Sequence, residues 1–192
     1  MNKATFALIL ALLLPPVWAD NGSTALDEIA AVVNSDVIMM SEAQKRVQII
    51  RSSSKAAASL APQDLLKQAV DSLIMEKLQI QKAETAGIQI DNVTLNKAVE
   101  AIASQNKLSL PAFQQALQQE GIDYAEFREQ TRRKLMADAL RKREVQSRVK
   151  TDNPQAAAAQ ADEQYQVWLQ ELRNSAYVEY RIPVAASALT LQ

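Results

Sequence analysis

From Tyr177 onward the sequence reads YVEYRI, with Val178, Tyr180 and Ile182 alternating against Tyr177, Glu179 and Arg181. A period of two is the pattern of a half-buried strand. A lone strand leaves its backbone N–H and C=O groups unpaired, so it demands a partner. The chain from Pro62 to Leu172 carries helical periodicity almost throughout, and only two other runs have strand character. These are 29–33 and 37–40, set around the turn formers Asn34-Ser35-Asp36 as in a hairpin. The two ends of the chain are therefore expected to meet in one sheet. The fold class is mainly α, with a small antiparallel β element joining an N-terminal hairpin to a C-terminal strand.

The helices announce their own ends. Ser41 with Gln44 has the spacing of a capping box, which predicts a helix running towards Ile50, followed by a loop over 51–62. Pro62 opens the next helix, which Gly87 ends; its stripe is Leu66, Val70, Leu73, Ile74 and Ile80. Asp91 caps a helix with Leu95, Val99 and Ile102 on one face, and Ser109 caps a shorter one carrying Leu110, Phe113 and Leu117. Gly121 stops that one. Asp123 with Glu126 then launches a helix from Tyr124 to about Val149. Beyond "TDNPQAAAAQAD", the residues Tyr165, Trp168, Leu169 and Leu172 form a narrow aromatic stripe.

The chain has no cysteine and no histidine, which removes disulfides, thiolate metal sites, the usual general base and the commonest zinc ligand. Neither a dinucleotide-binding nor a P-loop glycine pattern is present. No nucleophile–base constellation can be assembled, so an enzyme is not expected, nor is a cofactor. Residues 1–19 have a basic start, an apolar run over 6–14 and compact residues before Asp20, the signature of a secretory signal cleaved after Ala19. That run is too short to span a bilayer, so no stable membrane insertion is expected.

The helix from Tyr124 is rich in arginine and lysine, and a nucleic-acid face is the sharp reading. However, Glu129–Arg133, Asp138–Lys142 and Glu144–Arg148 stand at i,i+4 in the favourable acidic-to-basic order, as on a solvated helix. With a net charge of −1 over the whole chain, no nucleic acid is expected as a partner.

The stretch "DSLIMEKLQIQKAETAGIQIDNVTLNKAVEAIASQNKLSLPAFQQALQQEGIDYAEFREQTRRKLMADALRKREVQSRV" resembles the N-terminal domain of the SurA family of periplasmic chaperones. The preceding "AAVVNSDVIMMSEA" matches that family's opening hairpin, and "WLQELRNSAYVEYR" is similar to its extreme C-terminal helix and strand. The resemblance implies one SurA-core-like domain over 20–182, made of an N-terminal part 20–150 and a C-terminal helix and strand 155–182, with a flexible tail over 183–192. SurA proteins generally carry parvulin-type prolyl isomerase domains between these parts. Here Thr151–Pro154 stands in their place and can span at most roughly 14 Å.

The resemblance also implies a function: an ATP-independent periplasmic holdase that binds unfolded outer-membrane β-barrel proteins, here without prolyl isomerase activity. The alternative is a non-chaperone envelope assembly or scaffold protein acting through a fixed partner, and a homodimer is left open. For client binding the candidates are Met75, Leu78, Phe113, Leu117, Met136 and Leu140, since a groove lined with Leu, Met and Phe suits an extended client and methionine can repack around varied guests. Met75 and Leu78 lie off their helix's stripe, and Met136 and Leu140 lie off the Phe127–Thr131–Leu135 line. Each needs either a second covering element or a guest.

Overall fold

The structure is a computed structural model, and it describes residues 27–53, 59–151 and 153–182. The expected signal over 1–19, residues 54–58 of the expected loop and the tail over 183–192 lie outside the described residues. Two short strands open the domain, β1 (Ile29–Val33) and β2 (Asp36–Met39). Asn34 supplies the positive φ that their tight turn requires, at 54°. The third strand, β3 (Val178–Tyr180), pairs antiparallel with β1, setting Val33 opposite Val178 and Ala31 opposite Tyr180. The order is β2-β1-β3, so the first and last described elements do share one sheet. Asn34 fastens the joint: its N–H donates to the Tyr177 carbonyl at 2.9 Å, and its Oδ1 accepts from the Tyr177 N–H at 3.0 Å.

Six helices follow the hairpin among the described residues: α1 (Met40–Ser53), α2 (Pro62–Thr85), α3 (Asn92–Gln105), α4 (Leu110–Gln119), α5 (Tyr124–Gln146) and α6 (Pro154–Asn174). Asp91, Ser109 and Asp123 cap their helices through side-chain oxygens that accept from Thr94, Ala112 and Glu126 N–H at 2.7, 3.4 and 2.8 Å. Asn153 does the same for α6, accepting from Ala156 N–H at 3.3 Å just before Pro154. The plain seam between α5 and α6 is thus an N-cap followed by a first-turn proline.

The start of α1 differs from expectation. Ser41 is already helical and pairs with no Gln44; its N–H donates to Asp27 Oδ1 at 3.1 Å, and its hydroxyl donates to Asp27 Oδ2. Glu42 reaches back to the Met39 N–H at 2.9 Å, so the reciprocal contact exists two residues before the expected frame. The helix also runs past Ile50 to Ser53, and α5 ends at Gln146 rather than near Val149.

Three buried clusters hold the domain. The first lies against the sheet and joins Ala30, Ala31, Val33 and Ile38 to Ala43, Val70, Ile74, Leu78 and Ile182. The second gathers Ala83, Met136, Leu140 and Trp168, so the aromatic stripe of α6 is buried against the N-terminal helices. The third is smaller: Ala103, Phe113 and Leu117, with Phe127 edge-on to Phe113 at 5.3 Å. The buried face of α2 is centred on Leu65, Ala69, Val70 and Ile74, leaving Leu66, Leu73 and Ile80 half-buried on its flank.

Candidate functional site: a trough between three helices

Helix α2 is the floor of a trough whose walls are α1 and α5. Two adjoining clefts, of about 560 and 320 Å³, share Arg46, Ile49, Glu76, Gln130 and Arg133 and so form one channel. Each helix contributes through its spacing. Ser72 and Glu76 stand one turn apart on α2, and the Arg46 guanidinium of α1 spans both, donating to Ser72 Oγ at 2.8 Å and to Glu76 Oε2 at 2.5 Å. From the opposite wall, Arg133 Nε donates to Glu76 Oε1 at 3.2 Å. One carboxylate therefore lies between two guanidiniums. All three side chains are part-exposed, so each pair contributes at most about 1 kcal/mol to stability.

One end of the trough is aromatic. Tyr165 of α6 stacks on Trp168 at 5.7 Å and donates its hydroxyl to Gln79 Oε1 at 2.7 Å, while Arg141 lies over its other side at 4.5 Å. Burial pushes the Tyr165 phenol above its ordinary value. Met75 is half-buried beside Tyr165 and also borders a shallower cleft with Leu169 and Arg173. Ile49 stands on the rim with 55% of its surface exposed.

Of the six residues expected to bind clients, only Met75 faces this space. Leu78 and Leu140 are 2% and 0% exposed, and Phe113, Leu117 and Met136 are 7–8% exposed, so all five are buried. They do not form one surface: Leu78 is under the sheet, Met136 and Leu140 lie under Trp168, and Phe113 and Leu117 fill the third cluster. The second neighbour that the off-stripe positions of Leu78, Met136 and Leu140 required is supplied by the chain itself.

Sequence reasoning missed Arg46, Glu76, Gln130 and Arg133 as a group. They come from three helices, and no local pattern connects them. The i,i+4 expectation for α5 also fails. Arg133 turns to Glu76, Arg148 to Glu171 at 2.9 Å, and Asp138 pairs with Lys134. Other arginines of α5 tie helices together: Arg132 donates to the Ile90 carbonyl at 2.6 Å and Arg143 to the Ala86 carbonyl at 2.9 Å. The Ala86 carbonyl lies just past the end of α2, where a cation complements the helix dipole, while that of Ile90 lies in the connection just before the Asp91 cap of α3. Among the described residues, no group of three or more acidic, histidine or cysteine side chains could hold a metal ion, and no helix is long and apolar enough to cross a membrane.

Comparison with known proteins matches the SurA N-terminal domain family over residues 26–141, which takes in β1, β2, α1 to α4 and most of α5. The chain belongs to the SurA N-terminal domain family. Its curated SurA relatives include the Chaperone SurA of Alcanivorax borkumensis, 35% identical over 181 residues, covering 93% of this chain and 42% of the relative. The Chaperone SurA of Methylobacillus flagellatus is 42% identical over 126 residues, covering 65% of this chain and 29% of its own length. That of Pseudomonas aeruginosa is 34% identical over 169 residues, covering 87% and 40%. The chain thus spans roughly two fifths or less of the length of these SurA relatives. A solved chain described among two structurally related SurA-like chaperones of Campylobacter jejuni aligns at 25% identity with a TM-score of 0.46, covering 65% of this chain and 44% of that one.

Proposed function

We propose that this SurA-family chain is an ATP-independent periplasmic holdase for unfolded outer-membrane β-barrel proteins, without prolyl isomerase activity. The observation that carries the reading is the family match across the domain that contains the trough. The trough's lining supports it. Met75, Ile49 and Tyr165 offer apolar and aromatic surface, and Gln130 offers an amide that makes no hydrogen bond among the described residues. Such a mixture suits an extended segment, whose side chains need apolar contacts and whose main chain needs donors and acceptors. Reversible binding through these contacts requires no nucleotide.

Client contact is placed at Met75 with Ile49 and Tyr165. The other expected residues, Leu78, Phe113, Leu117, Met136 and Leu140, then act from beneath by holding the three helices in place. The absence of histidine from all 192 residues supports a protein without parvulin-type catalysis.

The test uses an unfolded β-barrel membrane protein diluted from denaturant with no ATP. The mature chain should delay its aggregation, and Ile49→Ser with Met75→Ser should weaken that delay while leaving the thermal melt cooperative. A proline-limited refolding reaction should run at its uncatalysed pace, tens to hundreds of seconds at about 25 °C, whatever the concentration of the chain. No delay of aggregation would sink the holdase reading, and concentration-dependent acceleration of refolding would sink the claim of no isomerase.

A further inference from the structure

We propose that the Arg46–Glu76–Arg133 bridge makes the trough selective for extended segments in which a carboxylate is flanked by apolar side chains. The inference rests on the client-binding reading above and adds which segments the trough prefers. Three observations support it. First, the charge at the bridge does not balance: two guanidiniums share one carboxylate, which leaves one positive charge between the walls. Second, Arg133 spends only its Nε on Glu76; among the described residues its two terminal nitrogens make no hydrogen bond, and the side chain is 41% exposed. An arginine fork with free terminal donors is shaped for a second carboxylate.

Third, the apolar groups sit on either side of that charge. Met75 and Tyr165 lie in the larger cleft, Leu73 and Ile80 in the smaller, and both clefts meet at the bridge. The remaining cations of the larger cleft are already matched, Arg141 by Asp162 and Lys134 by Asp138. In the smaller cleft Asp36, Glu42, Glu84 and Glu126 outnumber Lys45 and Lys77, so the positive excess is confined to the bridge. A segment threading the channel would lay apolar residues at both ends and meet a lone cation in the middle. A glutamate or aspartate there gains an ion pair, a glutamine loses it, and a lysine is repelled.

The full mature chain can be titrated into three labelled peptides of alternating aromatic and threonine residues that differ only at a central Glu, Gln or Lys, with binding followed by fluorescence anisotropy at low salt. The Glu peptide should bind tighter than the Gln peptide by about threefold to fivefold, the size of a part-exposed ion pair, and the Lys peptide should bind weakest. High salt should erase the ranking and leave the Gln peptide bound, because the charge is screened and the apolar contacts are not.

Two variants move the preference in opposite directions. Arg133→Gln leaves a neutral Arg46–Glu76 pair and should abolish the Glu-over-Gln preference. Glu76→Gln frees both guanidiniums and should enlarge it, a sign that a merely structural role for Glu76 does not give. Should Glu76→Gln melt early, the Arg133→Gln result decides alone. Equal affinity for the Glu and Gln peptides overturns the inference and leaves the holdase reading standing. Failure of all three peptides to bind removes both. A change in sedimentation of the variants, with peptide binding unaltered, would assign the trough to a second copy of the chain and also overturn it.

Discussion

The cluster against the sheet and the cluster between α3, α4 and the start of α5 are both apolar, yet they are built in opposite ways. The first joins residues from the two ends of the described chain, Ala30 and Ile182, and most of its members are completely buried. The second is assembled from neighbours in sequence, and its two large members, Phe113 and Leu117, each keep 7% of their surface exposed. Long-range closure makes the first region all-or-none. Local closure lets the second open by itself at lower cost, as sub-global unfolding commonly does. The first region buries Val70, Ile74 and Leu78 of α2, and the trough uses Ser72, Glu76 and Gln79 on another face of the same helix, which the distal lobe of α3 and α4 does not line.

Removing 151–192 should have the largest effect. It takes away β3 and Trp168 together, and the remaining fragment should expose apolar surface, bind a hydrophobic dye and aggregate; a fragment that stays monomeric and melts like the whole would break the contrast. Next, Trp168→Ala should cost about 3–5 kcal/mol, because the ring is buried against Ala83, Met136 and Leu140. That is a large share of a total stability of roughly 5–15 kcal/mol, so the thermal midpoint should fall steeply.

Phe113→Ala should cost about 3 kcal/mol at its own site. Hydrogen exchange would show protection lost over α3 and α4 with the sheet still protected, whereas uniform loss would mean that the two regions unfold as one. Alkaline pH should act at the sheet and at the Trp168 cluster. Burial, then the hydrogen bond to Asp71, holds the Tyr180 phenol above its ordinary value of 10.0, and burial raises Tyr165 likewise. A folded value above the unfolded one means that the stabilisation is complete below pH 10.0 and is lost as pH rises through the folded value. Urea midpoints should therefore drop in that window, and Tyr180→Phe should flatten part of the drop.

The smallest expected effect is at Lys107, which follows α3 with φ at 59°. A left-handed backbone costs a side-chain-bearing residue about 1 kcal/mol, so Lys107→Gly should stabilise the distal lobe by a few tenths to about 1 kcal/mol in denaturant melts.

Much of this architecture was legible because the decisive signals are local. Asp91, Ser109 and Asp123 cap where their spacing said they would, and Trp168 lies buried on the stripe that it defined. The strand partner followed from backbone hydrogen bonding alone. The site was not legible in the same way. Met75 and Leu78 are both off the α2 stripe, yet Leu78 is sealed by the cluster that includes Val33 and Ile182 while Met75 faces a channel. A helix in the middle of a bundle is covered on more than one side, and periodicity reports only the widest. The arginines of α5 misled for a related reason: Arg133 has Glu129 four residues before it, but a carboxylate already facing another cation competes for it, and Arg143 reaches a carbonyl past the end of α2. Such competition is visible only when the helices are assembled.

The central position of β1 has a consequence in time. Val33 pairs with Asp36 almost as soon as both exist, but its other edge waits for Val178. A chain emerging from its N-terminus, from a ribosome or through an export channel, must hold that edge open until nearly all of it has arrived. Late pairing of distant strands is intrinsically slow. The sheet can therefore be completed only after every helix from Met40 to Asn174 has been made.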